Sequence, residues 1–129
     1  MAVKPIPEGY HSVTPYLIVG GIAGLIEFIK QAFGGEESQR LQRPDGSIMH
    51  AEVRIGDTII MMGEPTTEFT PMPASLHLYV EDTDAVYQRA LKAGAISIQE
   101  PAVRILRPFK SSRVRTGLWE CKNTSEVLA

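Results

Sequence analysis

The sequence predicts an α+β domain made of two β-α-β-β-β modules, paired so that helices cover one face of a curved antiparallel sheet and leave the other concave. Three observations predict it. A strand–helix–strand order recurs at a spacing of about 60 residues, with Leu17-x-Val19 answered by Leu78-x-Val80 and Gly34 by Gly94. Each copy passes from period-two alternation to a helical stripe. The length of 129 residues, 43% apolar and 22% charged, suits one globular domain. That composition excludes a disordered chain and a disulfide-dense mini-protein.

The elements follow in order. Val13 to Val19 is β-rich and ends at Gly20-Gly21, which reads as a strand. Ile22, Leu25, Ile26, Ile29 and Phe33 recur at helical spacing, and Gly34-Gly35 supplies the stop. Glu37 to Arg43 reads as an exposed strand, and Pro44-Asp45-Gly46-Ser47 as a turn. Ile48 to Ile55 alternates, with Met49, Ala51, Val53 and Ile55 on one face and His50, Glu52 and Arg54 on the other. Gly56-Asp57 turns the chain into a strand over Thr58 to Met62. Residues 10–64 thus form module one, and 65–74, with three prolines just inside or at its bounds, form a linker.

Module two spans 75–103. Ser75 to Val80 alternates as a strand, Asp82 offers an N-cap, and Ala85, Val86, Ala90 and Leu91 make a helical stripe ended by Gly94. Ile96 to Gln99 begins another strand. Helices on one side would bury Leu17, Val19, Leu76, Leu78 and Val80. They would leave Thr14, Tyr16, Ile18, Ser75, His77 and Tyr79 on the concave side. Such a half-polar hollow suits a small-molecule ligand or the face of a partner chain.

Charge narrows the partners. The formal net charge is −2, so nucleic acid is not expected. No apolar run approaches the roughly 20 residues of a membrane span. The N-terminus lacks the apolar stretch of a signal peptide, and Cys121 has no second cysteine to pair with. A cytoplasmic protein is the expectation. The charge is uneven: residues 1–100 carry 7 basic and 13 acidic groups, and residues 101–129 carry 6 and 2.

Four segments carry a resemblance. Thr-Pro-Tyr-Leu-Ile-Val (14–19), Ile-Glu-Phe-Ile-Lys-Gln-Ala-Phe-Gly (26–34), Ile-Met-His-Ala-Glu-Val-Arg-Ile-Gly-Asp (48–57) and Leu-His-Leu-Tyr-Val-Glu-Asp-Thr-Asp-Ala-Val (76–86) resemble the PhnB-like branch of the glyoxalase/bleomycin resistance/dioxygenase, or vicinal oxygen chelate, superfamily. The resemblance covers roughly residues 9–101. It implies the paired βαβββ fold and a cavity often completed by homodimerisation. It also implies one of several functions: antibiotic sequestration, or lyase, isomerase or dioxygenase chemistry on a divalent metal acting as a Lewis acid. The first reading is a small-molecule binding protein without metal. The alternatives are a metal-dependent lyase or dioxygenase, and a structural or inactive homodimer.

The resemblance places metal ligands on the first and last strands of each module, where this chain has Thr14 and Ser75. His77, two residues beyond Ser75, and Glu64 are the candidate ligands for a divalent metal ion. His50 and Glu52, two apart on one face, suit a metal or acid/base pair, or a structural pair with Arg54. Thr14, Tyr16, His50, Glu52 and Tyr79 are the candidate ligand-binding residues, the tyrosines as stacking surfaces. His77 could equally be a hydrogen-bonded strand histidine, and Glu64 a solvated loop residue.

The resemblance stops after Glu100-Pro101-Ala102. Its relatives continue to a strand containing Phe-Gly-(Asn/His)-x-Trp, whereas residues 104–129 show neither alternation nor a helical stripe. Leu118-Trp119-Glu120-Cys121 can be encoded so that the next reading frame gives Phe-Gly-Asn-Val. An out-of-frame tail is therefore one hypothesis, and the gene's nucleotide sequence decides it. If the frame one base later yields no family-like strand, the hypothesis is dropped. The expectation from sequence is an atypical tail that leaves module two short of its last two strands.

Overall fold

A computed structural model describes the backbone of residues 2–72, 74–106, 112–121 and 127–128, and the side chains of residues 2–72 and 74–102. The expectations resting on 107–111, 122–126 and 129 lie outside the described residues.

Module one comprises β1 (Tyr16–Ile18), α1 (Ile22–Phe33), β2 (Glu36–Gln42), β3 (Ile48–Ile55) and β4 (Thr58–Gly63). Helix α1 has the limits its stripe predicts. Ile22, Leu25, Ile26 and Ile29 are buried along one face. Gly34 closes it at φ 64, a left-handed conformation that costs glycine little. Its N–H bonds Lys30, and that of Gly35 bonds Ile29.

The sheet order is β1-β4-β3-β2, and β1 pairs in parallel with β4. The mixed direction follows from connectivity. Strands β2, β3 and β4 are successively antiparallel, and the helical crossover sets β1 parallel to β2. The core lies between α1 and this sheet: Leu17, Val19, Ala51, Val53, Ile60 and Met62 meet the helix.

One facing differs from expectation. Leu41 pairs with His50 and Gln42 with Ile48, so Met49 is the extra residue of a bulge. Beyond it the alternation inverts: Met49 is exposed and Ile48 is buried.

Module two comprises β5 (Ala74–Ser75), α2 (Thr83–Lys92), β6 (Ala95–Leu106), β7 (Ser112–Cys121) and β8 (Val127–Leu128), ordered β5-β8-β7-β6. This is the order of module one again. Asp82 caps α2 by accepting from the Ala85 N–H at 3.0 Å. Tyr87 and Ala90 of α2 join the core beside α1, and Arg89 Nε donates to the Ala32 carbonyl at 3.2 Å.

Two expectations are corrected here. The strand read over Ser75 to Val80 pairs only at Ala74 and Ser75. Residues 76–80 keep their alternation, with Leu76 and Leu78 half-buried and His77 and Tyr79 exposed, but form no ladder, and Val80 is exposed. Alternation fixes which face a side chain takes, not whether the backbone finds a partner. The tail differs in the opposite sense. Its sequence lacks periodicity, yet β7 pairs with β6 from Ala95–Cys121 to Leu106–Ser112. A ladder is made by backbone N–H and C=O groups, so it forms without an alternating side-chain pattern.

Candidate functional site

The open face of the first sheet gathers polar side chains into one chain of hydrogen bonds. Tyr16 and Glu52 both lie opposite Met61, so Tyr16, Met61 and Glu52 form a row across β1, β4 and β3. His50 stands two residues from Glu52 on the same face. Its Nε2 lies 2.9 Å from Glu52 Oε1. Its Nδ1 lies 3.2 Å from the Tyr16 hydroxyl, and the two rings are tilted with centroids 5.6 Å apart.

Tyr16 reaches His50 across β4, because the two residues sit on strands separated by that one. The residue beneath the crossing is Gly63. A Cβ there would lie 3.2 Å from the Tyr16 hydroxyl and 2.6 Å from the Met49 carbonyl oxygen. Glycine therefore opens the passage that lets the phenol meet the imidazole.

The fourth member comes from the N-terminal arm. The Tyr10 hydroxyl donates to Glu52 Oε2. Gly9 packs close to Arg54, where an added Cβ would lie 3.1 Å from its guanidinium. Glu52 is only 4% exposed, the one buried charged residue among the described residues. Burial pushes its carboxyl up, but the hydrogen bonds from Tyr10 and His50, with the imidazole's charge, outweigh that and hold it below the ordinary glutamate range. The same bond to Glu52, with burial, pushes the Tyr10 phenol up, against the opposing charge of Arg54.

The sign of that depression fixes a pH dependence. A carboxylate held below its unfolded value stabilises the fold fully above that value, and the stabilisation is lost as pH falls through the folded value. Glu37, hydrogen-bonded by Arg40, and Asp45, hydrogen-bonded by Ser47, are lowered as well and act in the same direction. The urea midpoint is expected to fall on acidification below roughly pH 4, near the ordinary glutamate value. The fall should be shallower in Glu52→Gln. Equal slopes in the two proteins would remove Glu52 from the effect.

The other candidates stand elsewhere. Glu64 accepts from the backbone N–H groups of Ile22 at 2.9 Å and Gly21 at 3.3 Å, so its carboxylate closes the N-terminus of α1. His77 and Tyr79 lie with ring centroids 4.8 Å apart. They line a cavity of about 820 Å³ between the β3–β4 turn, residues 76–82 and α2. Phe33, Ile55, Leu76 and Val86 make its apolar walls, and Asp57 and Arg89 add charge. Thr14 is half-buried ahead of β1.

The structure thus brings Tyr16, His50 and Glu52 together and sets His77 and Tyr79 in a separate hollow. Sequence reading missed Tyr10 and Gly63. Tyr10 lies 42 residues from its partner in an arm without periodicity, and Gly63 looks like an ordinary strand end.

A divalent metal does not fit these residues. No group of three or more His, Cys, Asp or Glu is placed to hold one among the described residues. Both imidazole nitrogens of His50 and both oxygens of Glu52 are engaged, and Glu64 is spent on α1. No helix among the described residues is long and apolar enough to cross a membrane.

No known family model matches the chain. An uncharacterized protein of Mycobacterium bovis is 36% identical over 95 residues, 65% of this chain and 62% of that protein. One from Mycobacterium tuberculosis shows the same identity over 56% of its length. The chain therefore spans less than two thirds of the length of these relatives. Among solved structures, TioX from Micromonospora sp. ML1 superposes with a TM-score of 0.70 at 19% identity, covering 92% of this chain and 95% of that one. A member of the glyoxalase/bleomycin resistance protein/dioxygenase superfamily from Sphaerobacter thermophilus gives 0.66 at 17% identity, with 92% of each chain covered. The fosfomycin resistance protein FosX from Mesorhizobium loti gives 0.59 at 15%, over 92% and 88%. The fold is that of the glyoxalase/bleomycin resistance/dioxygenase superfamily.

Proposed function

We propose that this chain, with its glyoxalase/bleomycin resistance fold, is a small-molecule binding protein whose ligand lies on the open face of the first sheet, against Tyr16 and His50. The observation that carries the reading is the buried carboxylate of Glu52, tied through His50 to the half-exposed phenol of Tyr16. Burying a carboxylate is unfavourable unless hydrogen bonds compensate it. Here the compensating partners run outward to an aromatic surface, the composition of a site that orients a ligand. That a solved neighbour of the same fold is named for fosfomycin resistance is compatible with such a role. Metal-dependent lyase or dioxygenase chemistry stands as the lesser reading, because the described donors are committed to one another.

A homodimer belongs to the same proposal. Tyr79, Ile96 and Ile98 expose apolar surface at 83%, 45% and 48%, which a second copy would cover. The cytoplasm, where a lone cysteine stays reduced, is the proposed compartment.

The test is chemical-shift mapping of the labelled protein with a panel of small hydroxylated aromatic compounds. Shifts are expected at the amides of Tyr16, His50, Glu52 and Met61, and they should be lost in His50→Ala. Shifts confined to residues 76–82 and 85–89 would move the site to the cavity beside His77. No compound shifting either region would sink the reading.

A further inference from the structure

The relay also fixes which way its outer end is polarised, an inference that rests on the binding site just proposed. Glu52, held in its ionised form, can only accept hydrogen bonds. Its Oε2 accepts from Tyr10, so Oε1 must accept from His50 Nε2 at 2.9 Å. Nε2 therefore carries the proton. In a neutral imidazole the other nitrogen then holds a lone pair. Nδ1 faces the Tyr16 hydroxyl at 3.2 Å, so the phenol must donate its single proton inward to it.

A phenol oxygen whose proton is engaged presents only lone pairs to whatever meets it from outside. This hydrogen bond lies on the exposed side of the site, and Tyr16 is 47% exposed. Gly63 adds no Cβ beside the hydroxyl. We propose that Tyr16 Oη is the acceptor that selects the ligand: the site takes small organic molecules bearing a hydroxyl or amino proton donor, and discriminates against those offering only an ether or carbonyl oxygen at that point. Glu52 beneath the relay adds negative charge, which further disfavours an anionic group there. Arg54, the cation nearest the relay that the contacts reveal, is turned to the arm at Gly9. Glu52 and His50 are positioning residues in this scheme, since they act through Tyr16.

Phenol and anisole test the inference, because they share a shape and differ in the O–H. Each is titrated into wild type and Tyr16→Phe, with binding read from amide shifts at Tyr16 and Met61. Phenol is expected to bind wild type about 3- to 10-fold tighter than anisole, the worth of one hydrogen bond. The preference should vanish in Tyr16→Phe while both compounds still bind. Tyr16 is half-exposed, so this variant retains its packing. Equal affinities in wild type, with shifts at these amides, would overturn the acceptor assignment and leave the binding site standing. A preference that survives Tyr16→Phe would overturn it too. Shifts from neither compound would overturn both the assignment and the site.

Discussion

Gly63→Ala is expected to cost about 1–3 kcal/mol of stability, in the range of small-to-large changes in packed sites, and to part Tyr16 from His50. The added Cβ would stand 2.6 Å from the Met49 carbonyl oxygen. That atom belongs to the backbone of β3, so it cannot swing aside as a side chain would. The same Cβ would press on the Tyr16 hydroxyl at 3.2 Å, and the easiest relief is rotation of the phenol away from the sheet. Urea unfolding reads the first effect, and the loss of Tyr16-to-His50 contacts in NMR spectra reads the second. Gly24→Ala is the control. It lies in α1 with nothing within 4 Å of its Cβ position, so alanine should add up to about 1 kcal/mol through helix propensity. Should Gly63→Ala match wild type in both readouts, the crossing over β4 is not as tight as described.

Glu52→Ala is expected to cost about 1–3 kcal/mol and to release the N-terminal arm. The buried carboxylate is the shared acceptor for Tyr10 and for His50. Removing it leaves the imidazole N–H facing a half-buried space without an acceptor, a loss on that scale. Tyr10 loses its tie to β3 at the same time. Amide exchange over residues 2–12 should therefore quicken in Glu52→Ala, and limited proteolysis should begin there. Glu52→Gln retains one oxygen acceptor and should fall between. Unchanged exchange in the arm would mean that Gly9 and Arg54 alone hold it.

How far sequence reaches is clearest in module one. The limits of α1 and β3 were legible because each has a strong apolar period and punctuation in Gly34, Gly46 and Gly56. The pairing of His50 with Glu52 was legible too, since residues two apart on a strand share a face. Module two was legible in order but not in extent. Residues 76–80 alternate as a strand should and yet lack a ladder, while 112–121 pair without alternation.

Local pattern by itself determined the α+β class, the repeat of strand and helix, the inward faces of α1, β1 and β4, and the turns that glycine and proline demand. Each is set by residues within a few positions of one another. Tertiary structure alone decided the rest. Glu64 became the cap of α1 from 42 residues away. Tyr10 reached Glu52, and Tyr16 reached His50 over Gly63. These contacts join distant segments through strand register and the bulge at Met49, and a one-residue change in register reverses every facing. The relay exists because three strands and the arm meet in one register, which local periodicity does not encode.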